Sequence, residues 1–130
     1  MSVVTAFRFD GYVDFKILDI KNKYPYEISG GQKQRAAIIR SLVNNPLVIL
    51  ADEPTGSLDS KTSREVMETF EILNKKYNKT ILMVTHDIKA ASYCKKVVLM
   101  NDGVTSHELL RRGSTMDFYK DILNLLNRFI

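Results

Sequence analysis

The chain is 130 residues long, 45% hydrophobic and 26% charged, which suits one soluble globular domain and leaves too little length for two. Its net charge of +4 is spread thinly, densest at Lys75-Lys76, Lys95-Lys96 and Arg111-Arg112, so the continuous basic stripe that nucleic-acid binding needs is missing. No apolar run reaches the roughly 20 residues of a bilayer span, residues 1–7 lack the look of a secretory signal, and the single Cys94, with no CxxC and no histidine cluster, excludes an internal disulfide, fits a reducing cytoplasm and argues against zinc.

Residues 1–23 carry the weakest pattern. Val13, Phe15 and Ile17 alternate with charged residues before Leu18 and Ile20 fall out of phase, which leaves strand and helix both open. Pro25 and Gly30-Gly31 keep residues 24–31 out of regular structure. Residues 32–43 predict a helix with Ala36, Ile39, Leu42 and Val43 on one face, stopped by Asn44-Asn45-Pro46. A serine and two glycines directly before a helix make an anion site: the first N–H groups and the positive helix end face the ligand, and glycine admits close backbone approach. Taken alone, Ser29-Gly30-Gly31 reads as a helix cap and a turn; its neighbours decide.

Leu47-Val-Ile-Leu-Ala51 is an apolar run between Pro46 and Pro54, and it ends in two adjacent carboxylates, Asp52 and Glu53. Such a run reads as a strand buried on both faces of a parallel sheet. A carboxylate is costly to take out of water unless it is paired, metal-bound or at the edge of the core. The end of a parallel strand is such an edge, and ligands of open α/β sheets bind beyond it. Asp52 is thus placed to face a Mg²⁺ ion and Glu53 a water molecule.

Three motifs now stand in order. Ile28-Ser29-Gly30-Gly31-Gln32 resembles the signature of the ATP-binding cassette (ABC) ATPases, with Ile where Leu is usual. Residues 47–53 resemble their Walker B strand, and Gly56-Ser57-Leu58-Asp59 their D-loop, at the family's spacing. Beyond them, Ser60 caps a predicted helix over 61–77 with Val66, Met67, Phe70 and Leu73 inside. Residues 80–85 predict a second buried strand ending at His86-Asp87, parallel to the first because the helix between them is a crossover. A short helix over 88–93, a strand over 96–100, a turn at Asn101-Asp102-Gly103 and a return strand over 104–110 follow. Ser114-Thr-Met-Asp117 has the form of a capping box for a last helix, with Phe118, Ile122, Leu125, Leu126 and Phe129 as its apolar stripe. Residues 108–129 resemble the tail of ABC ATPases that serve antibiotic-peptide and lipoprotein exporters. His107 has no such context.

The resemblance implies an α/β fold, a P-loop NTPase-like parallel sheet with flanking helices, incomplete because the Walker A half is missing. It divides the chain into a helical-subdomain remnant with the signature (1–46), part of the catalytic core (47–110) and a C-terminal helix (111–130). It implies ATP and Mg²⁺ as cofactors: Asp52 as metal ligand, Glu53 polarising the attacking water, His86 contacting the γ-phosphate, Asp59 linking two sites, and Ser29, Gly30, Gly31 and Gln32 binding a partner's nucleotide. The implied partners are a second ATP-binding subunit and a membrane-spanning permease, with no nucleic acid, at the inner face of the cell membrane. The six glycines are 11, 30, 31, 56, 103 and 113, and none precedes a lysine, so Gly-x-x-x-x-Gly-Lys-Ser/Thr is absent. Gln32 and Gln34 are the only glutamines, so the family's Q-loop glutamine is absent too. Two readings stay open: part of an exporter ATPase, or an inactive half-cassette serving as a binding module or arising as a truncated product. DNA-repair relatives carry long coiled coils, which are not visible here. Without a Walker A strand, residues 47–51 and 81–85 are expected to pair directly, with 97–100 left apart from them or displaced.

Overall fold

The computed structural model describes residues 14–128, in two compact units that divide between Val84 and Thr85. Val13 and Phe129 lie outside the described residues. In the first unit, helix α1 (Gly30–Ser41) leads to strand β1 (Val48–Asp52), helix α2 (Ser60–Lys75) and strand β2 (Thr80–Val84). β1 and β2 pair in parallel, Val48 opposite Thr80 through Asp52 opposite Val84, so α2 is the crossover.

The core of this unit lies under one face of that pair. Ile49 and Ala51 of β1 are buried, as are Val66, Met67, Phe70 and Leu73, the apolar stripe of α2. The expectation of a strand buried on both faces is corrected here. β1 alternates: Val48 and Leu50 are 48% and 76% exposed, and Leu82 and Val84 on the same face of β2 are 60% and 62% exposed. A parallel strand is buried twice only when helices cover both faces, and the described residues cover one. The strand also sits one residue later than expected, ending on Asp52.

α1 departs from its expected start. It begins at Gly30, so both glycines belong to its first turn and not to a preceding loop. Ser29 and Gln32 form a capping box that pins that turn. Its buried face is Gly31, Arg35, Ile38 and Leu42, not the row through Ala36 and Ile39. Arg35 defeats a hydrophobic-pattern reading because its guanidinium donates to Glu65 Oε2 at 2.9 Å, and a paired charge tolerates burial.

Residues 14–23 form neither strand nor regular helix: Leu18–Ile20 is a single 3₁₀ turn. Phe15, Ile17 and Ile20 are buried, and their spacing fits neither a strand nor a helix period. Asp14 ties this segment to the end of α2, accepting from Lys76 Nζ at 2.6 Å and Tyr77 Oη at 2.8 Å. The Phe15 ring lies against that of Tyr77, with centroids 5.8 Å apart.

The second unit holds helix α3 (Ile88–Ser92), the antiparallel hairpin of β3 (Lys96–Asn101) and β4 (Val104–Leu110), and helix α4 (Thr115–Leu126). Asp102 and Gly103, at φ 48° and 78°, make the tight turn. Ser114 and Asp117 form the expected capping box, and Phe118 and Ile122 are buried with Ala90 where α4 packs on α3. Arg111 Nη1 donates to the carbonyls of Ser92 and Tyr93, satisfying the end of α3. Among the described residues β3 pairs only with β4 and β1 only with β2, so residues 48–52 and 80–84 pair directly, as expected.

Candidate functional site

Ser29 is exposed and extended, and it closes α1 reciprocally. Its N–H donates to Gln32 Oε1 at 2.9 Å, while its Oγ accepts from the Gln32 N–H at 3.2 Å. Its carbonyl takes the Lys33 N–H at 2.9 Å. That leaves Gly30 and Gly31 as the first-turn residues whose N–H groups no intrahelical carbonyl can reach. The Gln32 amide is turned outward, with Nε2 donating to Asp19 Oδ2 at 3.3 Å. An anion arriving here meets two uncapped amides and the positive end of a twelve-residue helix.

Asp52 ends β1 and is exposed. Glu53 follows in the left-handed region at φ 43°, and its N–H donates to the Val84 carbonyl at 2.8 Å, extending the parallel ladder by one bond. A glutamate rarely adopts this conformation, and residues held so cluster at functional sites. Two turns then fold the loop back, from the Gly56 N–H to the Glu53 carbonyl and from the Leu58 N–H to the Thr55 carbonyl, each 3.1 Å. One exposed carboxylate at a strand end is a donor Mg²⁺ accepts when substrate phosphates and water complete its shell. The described residues contain no cluster of three or more metal-binding side chains.

Asp59, not Ser60, is the N-cap of α2. Its backbone is extended, so one carboxylate oxygen reaches the N–H groups of Lys61 and Thr62, at 3.0 and 3.1 Å, and the other accepts from Thr62 Oγ1. The Thr62 hydroxyl foremost, with these backbone bonds, holds the Asp59 carboxyl below the usual carboxylate range.

The first unit therefore brings two of the predicted loops together. A Cβ on Gly30 would stand 3.1 Å from Leu58 Cδ2, and one on Gly31 only 2.1 Å from Thr62 Cγ2. The first turn of α1 thus packs against the loop 56–59 and the start of α2. His86 belongs to the second unit, exposed in the turn before α3, where Asp87 donates its N–H to Thr85 Oγ1 and caps Lys89. Sequence reading missed Asp19, Thr62 and the Arg35–Glu65 pair. Of these only Thr62 left a trace, standing three residues after a capping aspartate.

The parallel β1–α2–β2 arrangement is the α/β fold of part of a P-loop NTPase-like cassette. The family described as ABC transporter matches residues 10–56. Over 111 residues the chain is 49% identical to the ABC transporter ATP-binding protein YxdL of Bacillus subtilis, covering 85% of this chain and 43% of that protein. It is also 49% identical over 108 residues to the bacitracin export ATP-binding protein BceA of Halalkalibacterium halodurans, covering 82% of this chain and 43% of BceA. The dimeric ATP-binding cassette MJ0796, solved in a post-hydrolysis state with ADP and Pi, superposes with a TM-score of 0.62 at 42% identity, covering 76% of this chain and 44% of that one. The chain belongs to the ABC transporter ATP-binding family and holds part of its nucleotide-binding domain. It spans less than half the length of these relatives.

Proposed function

We propose that this chain supplies the signature half of an exporter's ATP-binding subunit. Ser29, Gly30, Gly31 and Gln32 present their helix start to the phosphates of a nucleotide held by a second ATP-binding subunit, at the inner face of the membrane beneath a permease. The observation that carries this reading is the capping box, which fixes the first turn of α1 while leaving the Gly30 and Gly31 amides uncapped. Two relatives support it: BceA is a bacitracin export protein, and the MJ0796 cassette is a dimer holding ADP and Pi.

At the strand end, Asp52 is the residue that would hold Mg²⁺, which when bound neutralises charge on the phosphate oxygens. Glu53, with a left-handed backbone just past the strand end, accepts a hydrogen bond from the attacking water and orients it. His86 donates to a phosphate oxygen. Asp59 sits at the partner-facing loop and communicates between two nucleotides. Catalysis of this kind is almost wholly positioning and electrostatics. A chain without Gly-x-x-x-x-Gly-Lys does not complete a site from its own residues.

Pull-down of this chain by immobilised YxdL, with and without the non-hydrolysable analogue AMP-PNP, tests the proposal. Capture is expected only with nucleotide and is lost in Ser29→Arg. Capture independent of nucleotide, or none, overturns it. If ATP turnover by the mixture falls in Glu53→Gln, the strand end is catalytic; if turnover ignores that change, the binding-module reading stands.

A further inference from the structure

Thr62 is the third residue of α2, and its two branches serve different neighbours. The hydroxyl donates to Asp59 Oδ2, and the methyl fills the space where a Gly31 side chain would be, 2.1 Å from the Cβ position. A β-branched side chain on a helix keeps one or two χ1 rotamers, so the two contacts cannot be adjusted separately. One turn deeper, the Arg35–Glu65 pair fastens α1 to α2 at 2.9 Å, which fixes the register at which the glycines meet Thr62. We propose that Thr62 is a positioning residue that couples Asp59 and the loop 56–59 to the Gly30-Gly31 turn, so that both reach the nucleotide-bearing partner as one surface. This rests on the partner-nucleotide reading above. The role is mechanical: a shift of Asp59 pulls the hydroxyl, and the methyl passes it to the backbone that offers the amides.

Hydrogen exchange in the full chain tests the coupling directly. Asp59→Asn is expected to speed exchange across residues 29–35 in the native background and to change little there in a Thr62→Ala background. Equal acceleration in both backgrounds would falsify the coupling. The second arm is AMP-PNP-dependent capture by YxdL. Thr62→Val keeps the methyl and loses the hydroxyl, while Thr62→Ser does the reverse. Each should weaken capture about tenfold, as for loss of a hydrogen bond to a charged group or of a tight contact, while the exposed Arg64→Ala leaves it unchanged. Capture that ignores both Thr62 variants overturns the functional side of the proposal. Failure of the native chain to be captured sinks the partner reading, and the exchange experiment then decides the coupling by itself.

Discussion

Gly31 is glycine for its neighbour and not for its backbone. It lies in a regular helix turn, yet a Cβ there would stand 2.1 Å from Thr62 Cγ2. Gly31→Ala therefore forces the two helices apart, at about 1–3 kcal/mol for an overpacked contact, and adding Thr62→Ser should recover most of the loss in a thermal melt. Asp14, Asp59 and Asp117 share another trait. Hydrogen bonds, from Lys76, Thr62 and Ser114 respectively, hold each carboxyl below its ordinary value of 3.8. A group with a depressed folded pKa contributes stability that is present above its unfolded value and lost as pH falls through the folded one. Melting temperature should therefore hold near neutrality and drop as pH falls below about 4, less steeply in Asp59→Asn. These residues also mark the limit of reading by type. Ser29 stands three positions before Gln32, the spacing of the capping box it forms, whereas Arg35 reads as surface until Glu65, 30 residues away, is seen beside it.

At the scale of elements, β1 and β2 present Val48, Leu50, Leu82 and Val84 to water on one face. Exposed apolar faces and open strand edges recruit other chains. The isolated chain should elute larger with rising concentration, and Leu50→Thr with Leu82→Thr should reduce this without lowering the melting temperature; an unchanged elution profile would reject the idea. The existence and direction of these strands were legible because each apolar run ends in polar residues. Their exposure was not legible, since a run of Leu, Val and Ile reads the same whether or not a second layer covers it. The other elements fared similarly: β4 and the Ser114 cap fell where their signals lay, while α1 began two residues early because a capping box overrode the glycines' low helix propensity.

For the whole molecule, the family was legible in three motifs, and among the described residues the strands pair as β1 with β2 and β3 with β4. Residues 14–23 were not legible, because their order comes from burying Phe15 and from the Asp14 bonds to residues 60 positions on and more. Purified alone, the chain should show no ATP turnover above background, in the native form and in Glu53→Gln alike; turnover lost in Glu53→Gln would mean that other residues replace the missing loop. The most direct measurement of the central claim is vanadate photocleavage of the chain mixed with YxdL, Mg²⁺ and ADP. Vanadate takes the place of the γ-phosphate and on irradiation cuts the backbone it touches. Cleavage of this chain within residues 29–31, abolished by Ser29→Arg, is the predicted result. Cleavage confined to YxdL, with residues 29–31 intact, would contradict it.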